Sequence, residues 1–365
     1  MPTLLRVGIV GLPNAGKSTL FNALTRSHQA TVAAYPFCTI EPNVGMIAVP
    51  APRLPDLRHI FGAAEAIPAA VEFSDIAGLV AGASEGEGLG NQFLGHIREV
   101  DAIAHVVRCF TNENVSHVAA TLDARRDVAT IQTELALADA ETLQSRVERV
   151  GKSAKAGDKT LLRELAFLEK LQAVLNAELT TRGVSATGEE QAILTDLHLL
   201  TRKPVVLVSN VGEDQLGTAT DECSANLPAD PATPVVRICA DLEAEVIDLE
   251  PQDAADYFES VGIASSGIAA VITAAYQTLG LITFFTGNEK EVRARALLAG
   301  TSAVAAAGDV HSDMAAGFIR AEVIGADDLL AAGSLATARE RGVLRVEGRG
   351  YLVADGDVMY FRFNS

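Results

Sequence analysis

The chain is poor in basic residues: 29 Lys and Arg stand against 47 Asp and Glu in 365 residues, a formal net charge of −18. That shortage excludes a general basic surface for coating DNA or RNA and leaves only a local basic patch for such contact. Cysteine is scarce too. Cys38, Cys109, Cys223 and Cys239 lie far apart, with no C-x-x-C pair and no histidine at zinc-ligand spacing. No zinc site is expected, and all four are expected to be buried thiols of a reducing cytosol. Nowhere do about 18 apolar residues run without a charge or a turn former, so no membrane span is expected. The apolar start, residues 1–10, is interrupted by Arg6, its apolar run is too short for a signal-peptide core, and it has no A-x-A-like cleavage site, so no signal peptide is expected. What the chain does have is 48% hydrophobic and 21% charged residues, enough to exclude disorder despite the net charge. A folded, cytoplasmic protein of two or three domains is expected.

The first chemistry lies at residue 11. A short apolar strand, residues 5–10, runs into Gly11-Leu12-Pro13-Asn14-Ala15-Gly16-Lys17-Ser18 and then into the helix-like Thr19 to Leu24. This is GxxxxGK[ST] between a strand and a helix. Its glycines allow a tight loop with inward-pointing N–H groups, and the helix N-terminus adds partial positive charge where phosphates sit. Asn14, Ala15, Gly16, Lys17, Ser18 and Thr19 are assigned to nucleotide binding. Lys17 is expected to reach the β- and γ-phosphate oxygens, and the Ser18 hydroxyl to ligate Mg²⁺.

About sixty residues on, the apolar segment from Val71 ends in Asp75-Ile76-Ala77-Gly78, a D-x-x-G. An Asp there holds Mg²⁺ through water, and the Gly78 N–H can reach the γ-phosphate. Between the motifs, Tyr35 to Asn43 is a proline-bracketed loop in which Thr39 is the candidate to complete the metal's coordination. The glycine-laden segment from Leu79 to Gly90 reads as a second switch.

Segments 11–25, 35–43, 73–94 and 105–110, together with Thr133–Asp139 and Asp355–Met359, resemble the YchF subfamily of Obg-related P-loop GTPases, the bacterial relatives of eukaryotic Obg-like ATPase. The likeness runs through the whole chain. It implies an α/β fold in which a discontinuous P-loop domain, 1–121 and 192–280, is interrupted by a helical hairpin, 122–191, and followed by a β-grasp (TGS) domain, 281–365.

Base choice falls to the loop after the strand Lys203–Ser209. Asn210-Val211-Gly212-Glu213 stands where a guanine-specific enzyme has N-K-x-D. Val211 removes the Lys that packs along the base, and Glu213 is one methylene too long to sit squarely on the guanine edge. The Asn210 amide has a donor and an acceptor face that can serve adenine N6 and N7. The resemblance associates N-x-x-E with ATP preference over GTP. Cys239 and Ala240 resemble the small-residue loop that closes over the base through backbone N–H groups.

Catalysis lacks one expected group. Many GTPases of this fold place a water-orienting glutamine directly after D-x-x-G, and here Leu79 stands there. A monovalent cation, another side chain or a partner must then serve, or hydrolysis is slow. Asn14 matches the K⁺ ligand of potassium-activated relatives, whose ion places positive charge where the transition state develops negative charge. His117 matches a histidine proposed in the family to orient water. Lys17, Gly78 and His117 are thus the catalytic candidates.

Residues 130–150 and 160–179 carry apolar positions three and four apart, with a polar break at Gly151–Asp158, which predicts two antiparallel helices. Arg146, Arg149, Lys152, Lys155, Lys159 and Arg163 gather at their tip and could contact RNA phosphates. From Leu281 the pattern is β-rich, with strands expected at 282–285, 318–323, 351–354 and 358–363. Where the family commonly has a tryptophan after Ala294, this chain has Arg295, and it has no Trp anywhere.

The resemblance implies a monomeric, ribosome-associated switch acting through the large subunit in translation under stress, slowly hydrolysing ATP, and GTP less well, with Mg²⁺. Two rivals remain open at this stage: a GTP-specific GTPase, and an RNA- or ribosome-docking protein whose nucleotide is mainly structural.

Overall fold

The structure, a computed structural model, describes residues 5–26, 43–76, 89–111, 122–154, 158–216, 222–228, 233–263 and 266–364. Its first half runs β1 (Arg6–Val10), α1 (Lys17–Arg26), β2 (Val44–Ala48), α2 (Leu54–Phe61), β3 (Glu65–Ile67), β4 (Ala70–Asp75), α3 (Leu89–Glu99), β5 (Ala102–Arg108), α4 (Ala124–Ala154), α5 (Lys159–Glu178) and α6 (Gly188–Leu197). A 3₁₀ turn, Leu200–Arg202, leads into β6 (Val205–Asn210), α7 (Glu213–Leu216), α8 (Glu222–Ala225), β7 (Val235–Ile238), α9 (Ala240–Val246), α10 (Pro251–Ser260) and α11 (Gly267–Thr278). The remainder is β8 (Leu281–Gly287), β9 (Glu291–Leu298), α12 (Ala303–Val310), α13 (Ser312–Ala316), β10 (Phe318–Gly325), α14 (Ala326–Ala332), α15 (Leu335–Glu340), β11 (Arg345–Glu347) and β12 (Asp357–Phe363).

These elements form two compact units, one from the described residues of 6–23 and 74–267, the other from residue 5 and those of 24–73 and 268–364. The chain crosses between them within α1 and β4. In the first unit β1, β5, β6 and β7 lie side by side, all parallel. Every residue of β5 is buried, as expected of a parallel strand covered on both faces. One cluster packs Phe93, Leu94 and Ile97 of α3 with Ile103 of β5 and Ile131 and Leu135 of α4.

The two long helices follow from their sequence. Phe167, Leu168, Leu171 and Leu175 recur three and four apart and are buried on one face of α5. Each fully buried leucine there contributes about 2 kcal/mol. Asp158 caps the start of α5, accepting from the Thr160 N–H at 2.8 Å. Arg146 on α4 is ion-paired with both Glu164 at 2.7 Å and Asp196 at 2.9 Å, and Arg163 faces Glu189 at 3.9 Å. Arg146 therefore ties three helices together and does not stand as a free tip cation. Lys155 lies outside the described residues.

Midway along α4, Asp139 is 1% exposed and accepts from the Leu200 and Thr201 N–H groups, both at 2.8 Å. It caps the turn that returns the chain to β6. Burial raises its carboxyl and these N–H donors pull the other way.

The second unit holds a six-stranded sheet in the order β11-β10-β12-β8-β9-β3. The β8–β9 hairpin, the parallel β12–β8 pair and α12 over the Phe284, Ala321, Val323 and Met359 core form a β-grasp arrangement. Expected strand 351–354 is absent: its one ladder contact is the isolated bridge of Leu352 with Ser302, and β9 is a strand that the pattern did not signal. Residues 65–67, read with the nucleotide domain, pair as β3 in parallel with β9. Arg53 before α2 makes a two-pronged contact to Asp327 of α14 at 2.7 and 2.9 Å.

The expectation of four thiols is corrected. Cys109, directly after β5, is disulfide-bonded to Cys223 of α8, with Cα atoms 5.6 Å apart and a separation of 114 positions in sequence. Spacing rules see only near neighbours, and this pair meets through the fold. Among the described residues Cys239 is the free cysteine, and it is buried. Among the described residues no helix is long and apolar enough to cross a membrane.

Candidate active site

The site is built at the carboxyl ends of β1, β4 and β6. β1 delivers the chain into the 11–16 loop, and the loop needs its glycines for two different reasons. A Cβ on Gly11 would stand 2.5 Å from the Val106 carbonyl oxygen of β5, so the loop can leave the sheet only without a side chain. Gly16 has φ of +95°, a conformation side chains disfavour. Asn14 is also left-handed, at φ 61°. Such alternation turns successive N–H groups to one side and makes an anion-binding concavity. α1 starts at Lys17, so its first N–H groups, which no helix can satisfy internally, add to that concavity.

Lys17 is 8% exposed, and its ammonium donates to the Leu12 carbonyl oxygen at 2.9 Å. Burial lowers its pKa while the Asp75 carboxylate opposes that shift. A phosphate brought to the loop would meet a positioned, partly desolvated cation.

Asp75 ends β4, and the Ile76 N–H donating to Ile9 O at 3.2 Å fastens that end to β1. The Ser18 hydroxyl donates to Asp75 Oδ2 at 2.8 Å. The other carboxylate oxygen, Oδ1, is buried without a hydrogen-bond partner. An orphaned anionic oxygen beside a serine hydroxyl, with hard oxygen donors only, fits a small divalent cation such as Mg²⁺.

The base-reading loop differs from its sequence reading in three ways. Asn210, 4% exposed, uses its amide as a brace: Nδ2 donates to Ala15 O and Oδ1 accepts from the Ala240 N–H, both at 3.0 Å. The amide thus joins the P-loop to the 238–240 loop, and only one N–H and one lone pair are left for a base. Ala240, expected to offer its N–H to the base, gives it to Asn210. Val211 is 1% exposed and packs with Leu207, Leu216 and Cys239, so its side chain is core and does not line the site. Glu213 is exposed at the start of α7. Cys239 precedes α9, and burial raises its thiol pKa.

One neighbour was missed by sequence. The Glu213 carboxylate, followed by burial, pushes the Tyr257 phenol up, which puts Tyr257 of α10 beside the base-reading loop. No local pattern around residue 257 signals that. The structure brings together Asn14, Ala15, Gly16, Lys17, Ser18, Thr19, Asp75, Asn210 and Ala240. Thr39, Gly78, Leu79 and His117 lie outside the described residues.

Comparison with known proteins bears on the whole chain. Residues 6–139 match a family model described as "50S ribosome-binding GTPase", and residues 281–364 match the model for the YchF GTPase C-terminal domain, described as a protein of unknown function. "Ribosome-binding ATPase YchF" of Bacillus subtilis is 48% identical over 364 residues, covering 99% of each chain. Its namesake from Escherichia coli O157:H7 is 45% identical over 361 residues, 98% of this chain and 99% of that one. A solved structure titled as the Schizosaccharomyces pombe YchF GTPase superposes with a TM-score of 0.87 at 32% identity, covering 98% of this chain and 97% of that one. The resemblance carried by the motifs, and the α/β P-loop fold it implied, are borne out. On this full-length likeness, the chain belongs to the YchF family of P-loop nucleoside triphosphatases.

Proposed function

We propose that the chain binds and slowly hydrolyses ATP, and GTP less well, as a ribosome-associated switch of the cytoplasm acting under translational stress. The observation that carries the hydrolytic part is the Ser18–Asp75 pair with its orphaned Oδ1, set beside the buried Lys17. Ser18, Asp75 and Thr39 would hold Mg²⁺, which when bound neutralises phosphate charge. Lys17 and the loop from Asn14 to Thr19 bind and orient the phosphates, and the Gly78 N–H stabilises charge on the γ-phosphate. His117 would orient water where Leu79 cannot, and Asn14 would hold a K⁺ ion, which would supply positive charge beside the phosphates. Glu213 and the absence of an ammonium at Val211 disfavour guanine. The discontinuous P-loop domain (1–121 and 192–280), hairpin (122–191) and β-grasp domain (281–365) are a division by motif, while the described residues of 24–73 pack in the compact unit of the C-terminal sheet.

The ribosome enters through the names of the relatives, which are ribosome-binding ATPases. Docking is assigned to the large subunit, with a single copy of the chain, and the hairpin tip through Arg149, Lys152 and Lys159 contributes RNA contact. Phosphate release from ATP and from GTP, measured with Mg²⁺ and K⁺ with and without ribosomes, tests this reading. Turnover of ATP above GTP, with nucleotide-dependent co-sedimentation, is expected. No turnover and nucleotide-blind co-sedimentation would replace it with a docking protein. A GTP-preferring enzyme is the second reading, favoured by the naming of the solved relative as a GTPase.

A further inference from the structure

On the sheet face turned toward α4 lies a cavity of about 150 Å³ that the nucleotide site does not use. Its lining combines the apolar side chains Ile103, Val128, Ile131, Leu135 and Leu207 with polar residues, among them Gln132, Glu178 and Thr201. One buried ring stands among them. His105, between Val10 and Leu207 in the parallel sheet, lines the cavity, is 4% exposed and is given no hydrogen bond by any described residue. Arg182 lies at the rim, but its guanidinium donates to Thr233 Oγ1 at 3.3 Å and Lys203 O at 2.9 Å, which turns that charge to structural use.

Burial, with the positive charge of Lys17 adding to it, pushes the His105 imidazole down to about 4. At neutral pH it is uncharged and offers one donor and one acceptor nitrogen. A buried polar group normally has a partner. A cavity of this size has room for a benzene-sized molecule. An aromatic ring can lie against the five aliphatic side chains, whereas a ligand with no polar atom would leave the imidazole unsatisfied.

We propose that this cavity is a binding site for small neutral aromatic molecules carrying one ring hydroxyl or N–H, seated among Ile103, Val128, Ile131 and Leu135 and hydrogen-bonded to His105. None of the P-loop residues 11–18 lines this cavity, although the Lys17 charge reaches His105.

4-Fluorophenol is the probe, and fluorobenzene, which lacks the hydroxyl, is the comparison. ¹⁹F NMR of each with the full-length protein reads binding without protein background. Millimolar or tighter binding of 4-fluorophenol is expected, about fivefold stronger than fluorobenzene, the ratio that one neutral hydrogen bond supplies. The ring-proton signals of His105, assigned by their loss in His105→Gln, should shift on titration. Leu135→Phe, which fills the cavity, should abolish binding of both compounds. The comparison of the two probes on the unaltered protein stands even where a variant fails to fold. Equal affinities, no binding at millimolar concentration, or binding that leaves the His105 signals unmoved would overturn the assignment.

Discussion

Asn210 and Gly16 form one mechanical unit, and a double-mutant cycle on them follows from the geometry. A Cβ on Gly16 would fall 2.2 Å from Asn210 Nδ2 and 3.3 Å from its Cγ, with nothing else within 4 Å. Gly16→Ala therefore pays about 1–2 kcal/mol for a left-handed alanine and also drives the Asn210 amide from its place. That breaks the bonds to Ala15 O and the Ala240 N–H. Each buried partner left unsatisfied costs about 1–3 kcal/mol, so Gly16→Ala alone should cost about 3–8 kcal/mol. Asn210→Ala alone forfeits the same two bonds, about 2–6 kcal/mol. With Asn210 already truncated, Gly16→Ala meets open space and pays only its backbone strain. The double variant should thus be more stable than the sum of the singles predicts, by about 2 kcal/mol or more. Equilibrium urea unfolding of the four proteins without nucleotide reads this. Additivity to within about 0.5 kcal/mol would refute the brace.

Three further predictions rest on other parts of the fold. Cys223→Ser removes a cross-link spanning 114 residues and should lower stability by about 2–5 kcal/mol; thiol alkylation read by mass spectrometry on unreduced and reduced protein should differ by two sites. Asp139→Asn keeps one acceptor for the two N–H groups of residues 200 and 201, so a loss of about 1–3 kcal/mol is expected in the same unfolding assay. His105 has a folded pKa of about 4 against 6.5 unfolded. The unfolded chain takes up its proton first, and stability should fall as pH drops from 6.5 to 4, by about 3 kcal/mol in all. The difference between the native and His105→Gln stability profiles isolates that slope, and parallel profiles would contradict it.

The parts of the site that read from sequence are those whose chemistry is contiguous. Eight residues from Gly11 to Ser18 declare a phosphate loop because the turn, the cation and the metal hydroxyl must follow one another along the chain. Asp75 was legible because a strand precedes it and the same loop stands upstream. Asn210 was legible as a residue but not in its action, since its partners Ala15 and Ala240 are 195 and 30 positions away. The same separation hid the Cys109–Cys223 bond and the pairing of β3 with β9. Val211 was read by what it replaces, a lysine, and only its neighbours in space show that it is core. The helices α4 and α5 were legible because their apolar spacing is local, whereas the 351–354 segment alternates like a strand yet finds only a single bridge.

Base choice is the centre of the functional account, and calorimetric titration with ATP and with GTP, in Mg²⁺ and K⁺ buffer, tests it most directly. Glu213→Asp is the variant to titrate beside the native chain, because Glu213 is exposed whereas a lysine at Val211 would have to enter the core. The account predicts tighter ATP than GTP for the native chain and a smaller gap for Glu213→Asp. Tighter GTP in the native chain would contradict it and make this protein a GTPase.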